Sequence, residues 1–263
     1  VRVTAVPCDR NGFVDPDDVK KALEPDTRLV SIMLANNEVG SIQSIGDIAS
    51  ICRDRNVLCH TDAAQAIGKI YVDVRHLGVD MLSIAGHKMY APKGVGALYV
   101  REQVDLEPLL HGAAHERGMR AGTENTPYLV GLGQAASLAA NRLSSNAFDS
   151  RLRDELWRRL EGALADRIVC NSTLADCLPN TLSVSFRDVL GRDLLAAVPE
   201  VCASTGAACH SGTTSVSATL SAMQFSEDRA LGTVRLSTGC YTTEHDVETA
   251  ASLLVDAYHR IAE

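Results

Sequence analysis

Apolar and polar positions follow two rhythms along this chain, and the first half switches between them. Val1, Val3, Ala5 and Val6 alternate with polar neighbours and predict an opening strand. A chain that starts with valine inside such a pattern reads as a piece of something longer. Asp9-Arg-Asn-Gly12 has turn chemistry, and Asp15-Pro16 ahead of Val19, Ala22 and Leu23 predicts a short capped helix. Residues 28–34 are almost continuously apolar, as in a parallel strand buried on both faces. Ile45, Ile48, Ala49 and Cys52 recur at helical spacing, and residues 57–61 predict the next strand. Two more short strands are expected at residues 81–84 and 96–100.

Strand, helix, strand in that order predicts a doubly wound α/β fold with a mainly parallel sheet. Such sheets bind ligands beyond the carboxyl ends of their strands. The residues just past those ends are Asn36 and Asn37, Asp62 and Gln65, and His87 and Lys88, which are therefore expected to converge.

The rhythm then stops. Residues 111–125 are Gly-rich and polar without a period, and predict a functional or interface loop. Helical spacing returns over residues 128–143, and again over 149–165 with Leu152, Leu156, Leu160 and Leu164 on one face. Residues 180–186 alternate as a half-buried strand, and residues 192–198 predict a further helix. This change of character places a domain boundary near residue 140, with residues 1–140 forming the sheet half and residues 141–263 a smaller α+β half.

Composition narrows the class. A chain of 263 residues, 46% hydrophobic and 22% charged, has the make-up of a globular protein. A net charge of -8 disfavours nucleic-acid partners, since phosphate binding wants clustered cations. No apolar run approaches the roughly 20 residues that span a bilayer, so a soluble protein acting on small molecules is expected. Eight cysteines without a CxxC point to a reducing compartment, the cytosol, and to no metal site.

Five residues carry candidate chemistry. Lys88 follows a Gly-His pair where an apolar run ends, and a lysine amine can form a Schiff base with an aldehyde. Asp62 ends a predicted strand, and Gln65 lies three residues on. Arg235 interrupts an apolar strand pattern and must be paired, most naturally with a carboxylate held by two parallel bonds. Cys209 lies among small residues next to His210, which can lower the thiol pKa or exchange a proton with it. Together these point to pyridoxal-phosphate chemistry, in which the lysine carries the aldehyde and the aspartate keeps the ring nitrogen protonated.

Six strings in order, beginning at Asn36, His60, Gly86, Arg117, Gly206 and Arg235, resemble the class V aminotransferase-like cysteine desulfurases. Within that family, Gly206-Ala-Ala-Cys-His-Ser211 is most similar to the selenocysteine lyase branch, as is Ala85, which stands where many desulfurases have serine. The resemblance implies a fold-type I pyridoxal-phosphate transferase fold. Residues 1–140 are then the C-terminal part of the large cofactor domain, and residues 141–263 the small domain with the catalytic cysteine. The family's N-terminal third, with its phosphate loop and stacking histidine, has no counterpart in the chain.

By the same resemblance, Lys88 is the cofactor lysine and moves the substrate α-proton, and Asp62 and Gln65 hold the ring nitrogen and ring oxygen. His87 contacts the phosphate, and Asn37 lies near cofactor and substrate. Thr123 reaches the phosphate of a neighbouring subunit, which implies a homodimer. Arg235 clamps the substrate carboxylate, and Cys209 is the catalytic cysteine. The expected reaction is cleavage of L-selenocysteine to L-alanine and reduced selenium. The alternatives are a cysteine desulfurase that forms a persulfide on Cys209, or a truncated, catalytically weak fragment of either. A selenium or sulfur acceptor protein is the expected partner, besides the amino-acid substrate.

Overall fold

The computed structural model describes residues 1–144, 150–205 and 216–262. The chain folds into two compact units, each discontinuous in sequence. One comprises residues 24–34 and 45–145, and the other residues 1–23, 35–44 and 146–263.

The first unit is built on a four-stranded sheet in the order β1 (Leu29–Met33), β2 (Leu58–Asp62), β3 (Met81–Ala85), β4 (Gly96–Val100). β1, β2 and β3 run parallel and β4 is antiparallel to β3. The helix between β1 and β2 (Ile45–Asp54) buries Ile45, Ile48, Ala49 and Cys52, the four positions its spacing predicts. β1 departs from expectation. It is parallel, but it is the edge of the sheet, and Leu29, Ser31 and Met33 are exposed along one face. An apolar run marks a buried strand only where both faces are covered, and here one is open.

A second apolar cluster in this unit joins the turn after β3 to the long helix Thr126–Ser144. Met89, Ala91 and Ala135 are buried together, with Ile84, Val95 and Leu132 packed against them. Residues 111–125 contain one short helical turn, Glu116–Gly118, and are otherwise irregular, in line with the absence of a period.

The other unit holds an antiparallel sheet in the order β5 (Ile168–Cys170), β6 (Thr181–Phe186), β7 (Thr233–Ser237). Two helices cover it, Arg151–Leu164 and Glu244–Ala262. Leu156, Leu160 and Leu164 from the first and Val247, Ala251 and Leu254 from the second meet Leu182, Val184 and Phe186 of β6 in one core. Trp157 packs at its margin. β6 is buried on both faces, not one. Its serine face is closed by a polar network: Asn171 Nδ2 donates to Ser183 Oγ at 3.2 Å, and Ser185 Oγ donates to Asn171 Oδ1 at 2.9 Å. Arg229 Nη2 donates to the same Asn171 oxygen at 2.9 Å. Alternation in sequence therefore records a change of chemistry across β6, not a boundary with water.

The expected single cut near residue 140 differs from these units in one respect. Two N-terminal stretches fold with the C-terminal part, because Val39 is fully buried against Leu220, Met223 and Ala230. Gln43 fastens the same stretches to each other, accepting from Val14 N–H and donating to the Gly12 carbonyl, both at 2.8 Å. The opening strand is not formed either. Residues 1–9 have no regular structure and belong to neither sheet, since alternation without a ladder partner fixes no strand. The capped helix does form: Pro16–Ala22 starts from Asp15, whose side chain accepts from Asp17 N–H.

Candidate functional site

In the sheet unit the candidate residues follow the ends of adjacent parallel strands. Asp62 is the last residue of β2, and its Oδ1 accepts the Ala64 N–H at 2.8 Å, which shapes the turn to Gln65. β3 ends at Ala85 and passes into a single tight helical turn, Gly86–Met89, that carries His87 and Lys88. Because β2 and β3 are parallel, these two termini lie at the same end of the sheet.

The turn around Lys88 is fixed by backbone. Gly86 N–H donates to the Val95 carbonyl at 3.0 Å, and a Cβ at Gly86 would stand 2.6 Å from that same oxygen, so glycine alone fits. Tyr90 closes the turn in the left-handed region at φ 72°, with Arg142 lying 5.1 Å over its ring. Gly86 and Met89 point into the apolar cluster, which leaves His87 and Lys88 exposed. A lysine on a rigid turn with its amine in solvent suits attack on an aldehyde.

Gln65 is oriented by a residue that sequence reasoning passed over. Lys69 Nζ donates to Gln65 Oε1 at 2.9 Å, so the amide keeps its NH2 for an acceptor. The signal was available, because Gln and Lys four residues apart can meet across a turn. A second omission is His60, whose ring is held by Ser31 Oγ at Nδ1 (2.8 Å) and by Ser83 Oγ at Nε2 (2.9 Å). Burial lowers its pKa from the ordinary 6.5, against the opposing pull of Asp62. The spacing of His60 and Asp62 puts both on one face of β2, but the two serines come from β1 and β3 and only the register reveals them.

These groups fit the cofactor expected from the sequence. A protonated ring nitrogen wants a carboxylate, which Asp62 offers; a phenolate oxygen wants a donor, which the constrained Gln65 amide offers; an aldehyde wants a primary amine, which Lys88 offers. His87 adds a donor for a phosphate. Thr123 is exposed on the irregular stretch ahead of the Thr126–Ser144 helix.

In the other unit, two residues expected to meet the substrate are brought together. Arg235 Nη1, on β7, donates to the Asn37 carbonyl at 2.7 Å, across 198 positions of sequence. Arg235 is half-buried, and among the described residues its guanidinium donates to this main-chain oxygen. Its backbone also pairs with Ser204, N–H to carbonyl at 2.6 Å in one direction and 3.2 Å in the other. Glu38, next to Asn37, is a further omission. It accepts from Ser217 Oγ and, at 2.7 Å, from Thr219 Oγ1, while Ser217 caps the helix Ala218–Ala222. Asn36 Oδ1 shapes this turn by accepting Glu38 N–H at 2.7 Å and Val39 N–H at 3.0 Å. Cys209 and His210 lie outside the described residues.

The sequence family described as Aminotransferase class-V matches residues 1–249. Among similar proteins, "Cysteine desulfurase IscS" of Dictyoglomus turgidum is 42% identical over 264 aligned positions, covering 99% of this chain and 66% of its own length. The protein of that title from Anaeromyxobacter dehalogenans is 45% identical, with 99% and 65% covered. This chain thus spans about two thirds of the length of the curated relatives it matches. Among solved structures, a NifS-like protein superposes with a TM-score of 0.87 at 36% identity, over 97% of this chain and 67% of that one. The mixed α/β architecture with its parallel sheet is the one seen in that structure.

Proposed function

Because this chain belongs to the aminotransferase class-V family, we propose that it serves as a pyridoxal-phosphate-dependent cysteine desulfurase, converting L-cysteine to L-alanine with the sulfur retained on Cys209. The observation that carries this reading is the arrangement at the carboxyl end of the parallel sheet, where Asp62 closes β2 and the rigid turn after β3 holds an exposed Lys88.

When bound, the cofactor supplies an electron sink for charge that develops at the substrate α-carbon. The residues supply the rest. Asp62 holds a proton at the ring nitrogen, Gln65 donates from its amide to the ring oxygen, and His87 donates to the phosphate. Lys88 anchors the aldehyde and then moves the α-proton. Arg235 keeps guanidinium donors for the substrate carboxylate, with one nitrogen already fixed by the Asn37 carbonyl.

Cys209 completes the chemistry. Its thiolate attacks the substrate sulfur, the S–S bond forms as the C–S bond breaks, and the electron pair left on carbon takes up a proton. One cysteine and one thiol thus give one alanine and one persulfide. Thr123 is assigned to the phosphate of a second copy in a homodimer, and the persulfide passes to an acceptor protein.

The selenocysteine reading rests on Ala85 and on the string around Cys209. The relatives described above carry the cysteine desulfurase title, which favours sulfur. Alanine release from L-cysteine and from L-selenocysteine, with mass spectrometry of Cys209, separates the two. We expect alanine from L-cysteine together with a persulfide on Cys209 that Cys209→Ala removes. Alanine from L-selenocysteine alone, with no persulfide, would contradict the desulfurase reading.

A further inference from the structure

One polar chain in the sheet unit has no part in the chemistry just described. Ser31 of β1, His60 of β2 and Ser83 of β3 are linked across three adjacent strands, with both imidazole nitrogens engaged, at 2.8 and 2.9 Å. Among the described residues of the four strands, the other titratable side chain on that face is Asp62, two residues along β2 and directly beside Ser83 in the register. Every other position that the four strands place on this face is apolar or serine. His87 and Lys88, which follow β3, lie beyond its end on the turn.

A histidine with a hydroxyl on each nitrogen is satisfied when neutral. One serine donates to the bare nitrogen, and the ring N–H donates to the other. Protonation spoils this, because both nitrogens must then donate and the serine that had donated must turn its hydroxyl away. It also sets a cation roughly 7 Å along the strand from Asp62.

We infer that the Ser31–His60–Ser83 chain holds a neutral imidazole beside Asp62 and thereby reserves that carboxylate for the protonated ring nitrogen of the cofactor, which makes His60 a positioning residue of the cofactor site. The inference rests on the assignment of Asp62 proposed above and extends it to residues with no direct contact to the cofactor. Partial burial works in the same direction, since it disfavours the charged imidazole. Once His60 is protonated, it competes with the ring nitrogen for Asp62 and repels the ring proton. Cofactor affinity should therefore fall as pH drops through the His60 titration, by about three- to tenfold, the order of one charge–charge interaction between His60 and Asp62 at about 7 Å in a partly solvated site.

The test is titration of the full chain with pyridoxal phosphate at a series of pH values, followed by the visible absorbance of the bound cofactor, alongside nitrogen NMR of the His60 ring in the cofactor-free chain. Wild type should bind more weakly on the acid side. His60→Gln keeps an amide for both serines and cannot charge, so it should bind normally at neutral pH and lose the acid limb. In the NMR experiment His60 should titrate below the ordinary histidine value, and Asp62→Asn should lower it further. An acid limb that persists in His60→Gln would overturn the inference and leave the cofactor site standing. Absence of a cofactor band in wild type at every pH would overturn both. Should His60→Gln fail to fold, the wild-type ring decides: an imidazole already charged at neutral pH, or one indifferent to Asp62→Asn, would refute the proposal.

Discussion

The two units present their candidate side chains in opposite ways. In the sheet unit, Asp62, His87 and Lys88 are exposed and come from short stretches that follow parallel strands, so each is positioned by its own local turn. In the other unit, Asn37 and Arg235 meet only because two distant segments fold together, joined by a hydrogen bond across 198 positions and flanked by the Glu38 contacts to Ser217 and Thr219. A site made of strand ends depends on one sheet and its turns. A site made of distant segments depends on the whole core behind it, so destabilising each unit should affect the site in different ways.

The largest effect should come from the sheet unit's chemistry. Lys88→Ala should abolish the visible band of the bound cofactor and reduce alanine formation by at least about a thousandfold, as expected on losing the group proposed to move the proton. The far-ultraviolet circular dichroism should not change, because the side chain is exposed and the turn is held by Gly86 and Met89.

The second effect tests whether the other unit relies on its core. Leu254→Ala removes a fully buried side chain from the cluster shared with β6, and should cost about 2 to 5 kcal/mol in denaturant unfolding. If the comparison holds, the loss should lower the apparent affinity for L-cysteine before it touches cofactor binding, and equal loss of both would break it.

Arg235→Ala should raise KM for L-cysteine by roughly ten- to a hundredfold, the worth of a charge-assisted bond, with a smaller change in cofactor affinity. Gly86→Ala gives the reciprocal outcome. It forces a Cβ against the Val95 carbonyl, and should weaken cofactor binding while sparing the contacts of Arg235.

The smallest effect is electrostatic and far from chemistry. Arg158 and Arg159 hold the Glu155 carboxyl down at about 2 from an ordinary 4.5. A depressed carboxyl stabilises the fold above its unfolded value and loses that contribution as pH falls from 4.5 toward 2. Glu155→Gln should flatten the acid limb of the unfolding curve over that window. Because the group is at the surface, the change should be small and should shrink further in high salt.

Much of the fold was legible where one face of an element meets one core. Ile45, Ile48, Ala49 and Cys52 were each placed by spacing and are each buried. Spacing failed where the environment differs from the usual one. β1 reads as buried but forms an edge with an open face, and β6 reads as half-buried although its serines are closed over by Asn171 and Arg229. Within the candidate site, the positions of Asp62 and Lys88 could be read because a strand end followed by a turn leaves a local pattern. The roles of Ser31 and Ser83 around His60, and of Glu38 at Ser217, could not, since those contacts need a register or a tertiary fold that no short string encodes.

Lys88 is proposed to anchor pyridoxal phosphate at the end of the parallel sheet. Incubating the chain with the cofactor, reducing with borohydride and mapping the modified peptide by mass spectrometry tests it most directly. A single pyridoxyl group is expected on Lys88, absent from Lys88→Ala. A label on Lys69 or Lys93 instead, or none on any lysine, would contradict it.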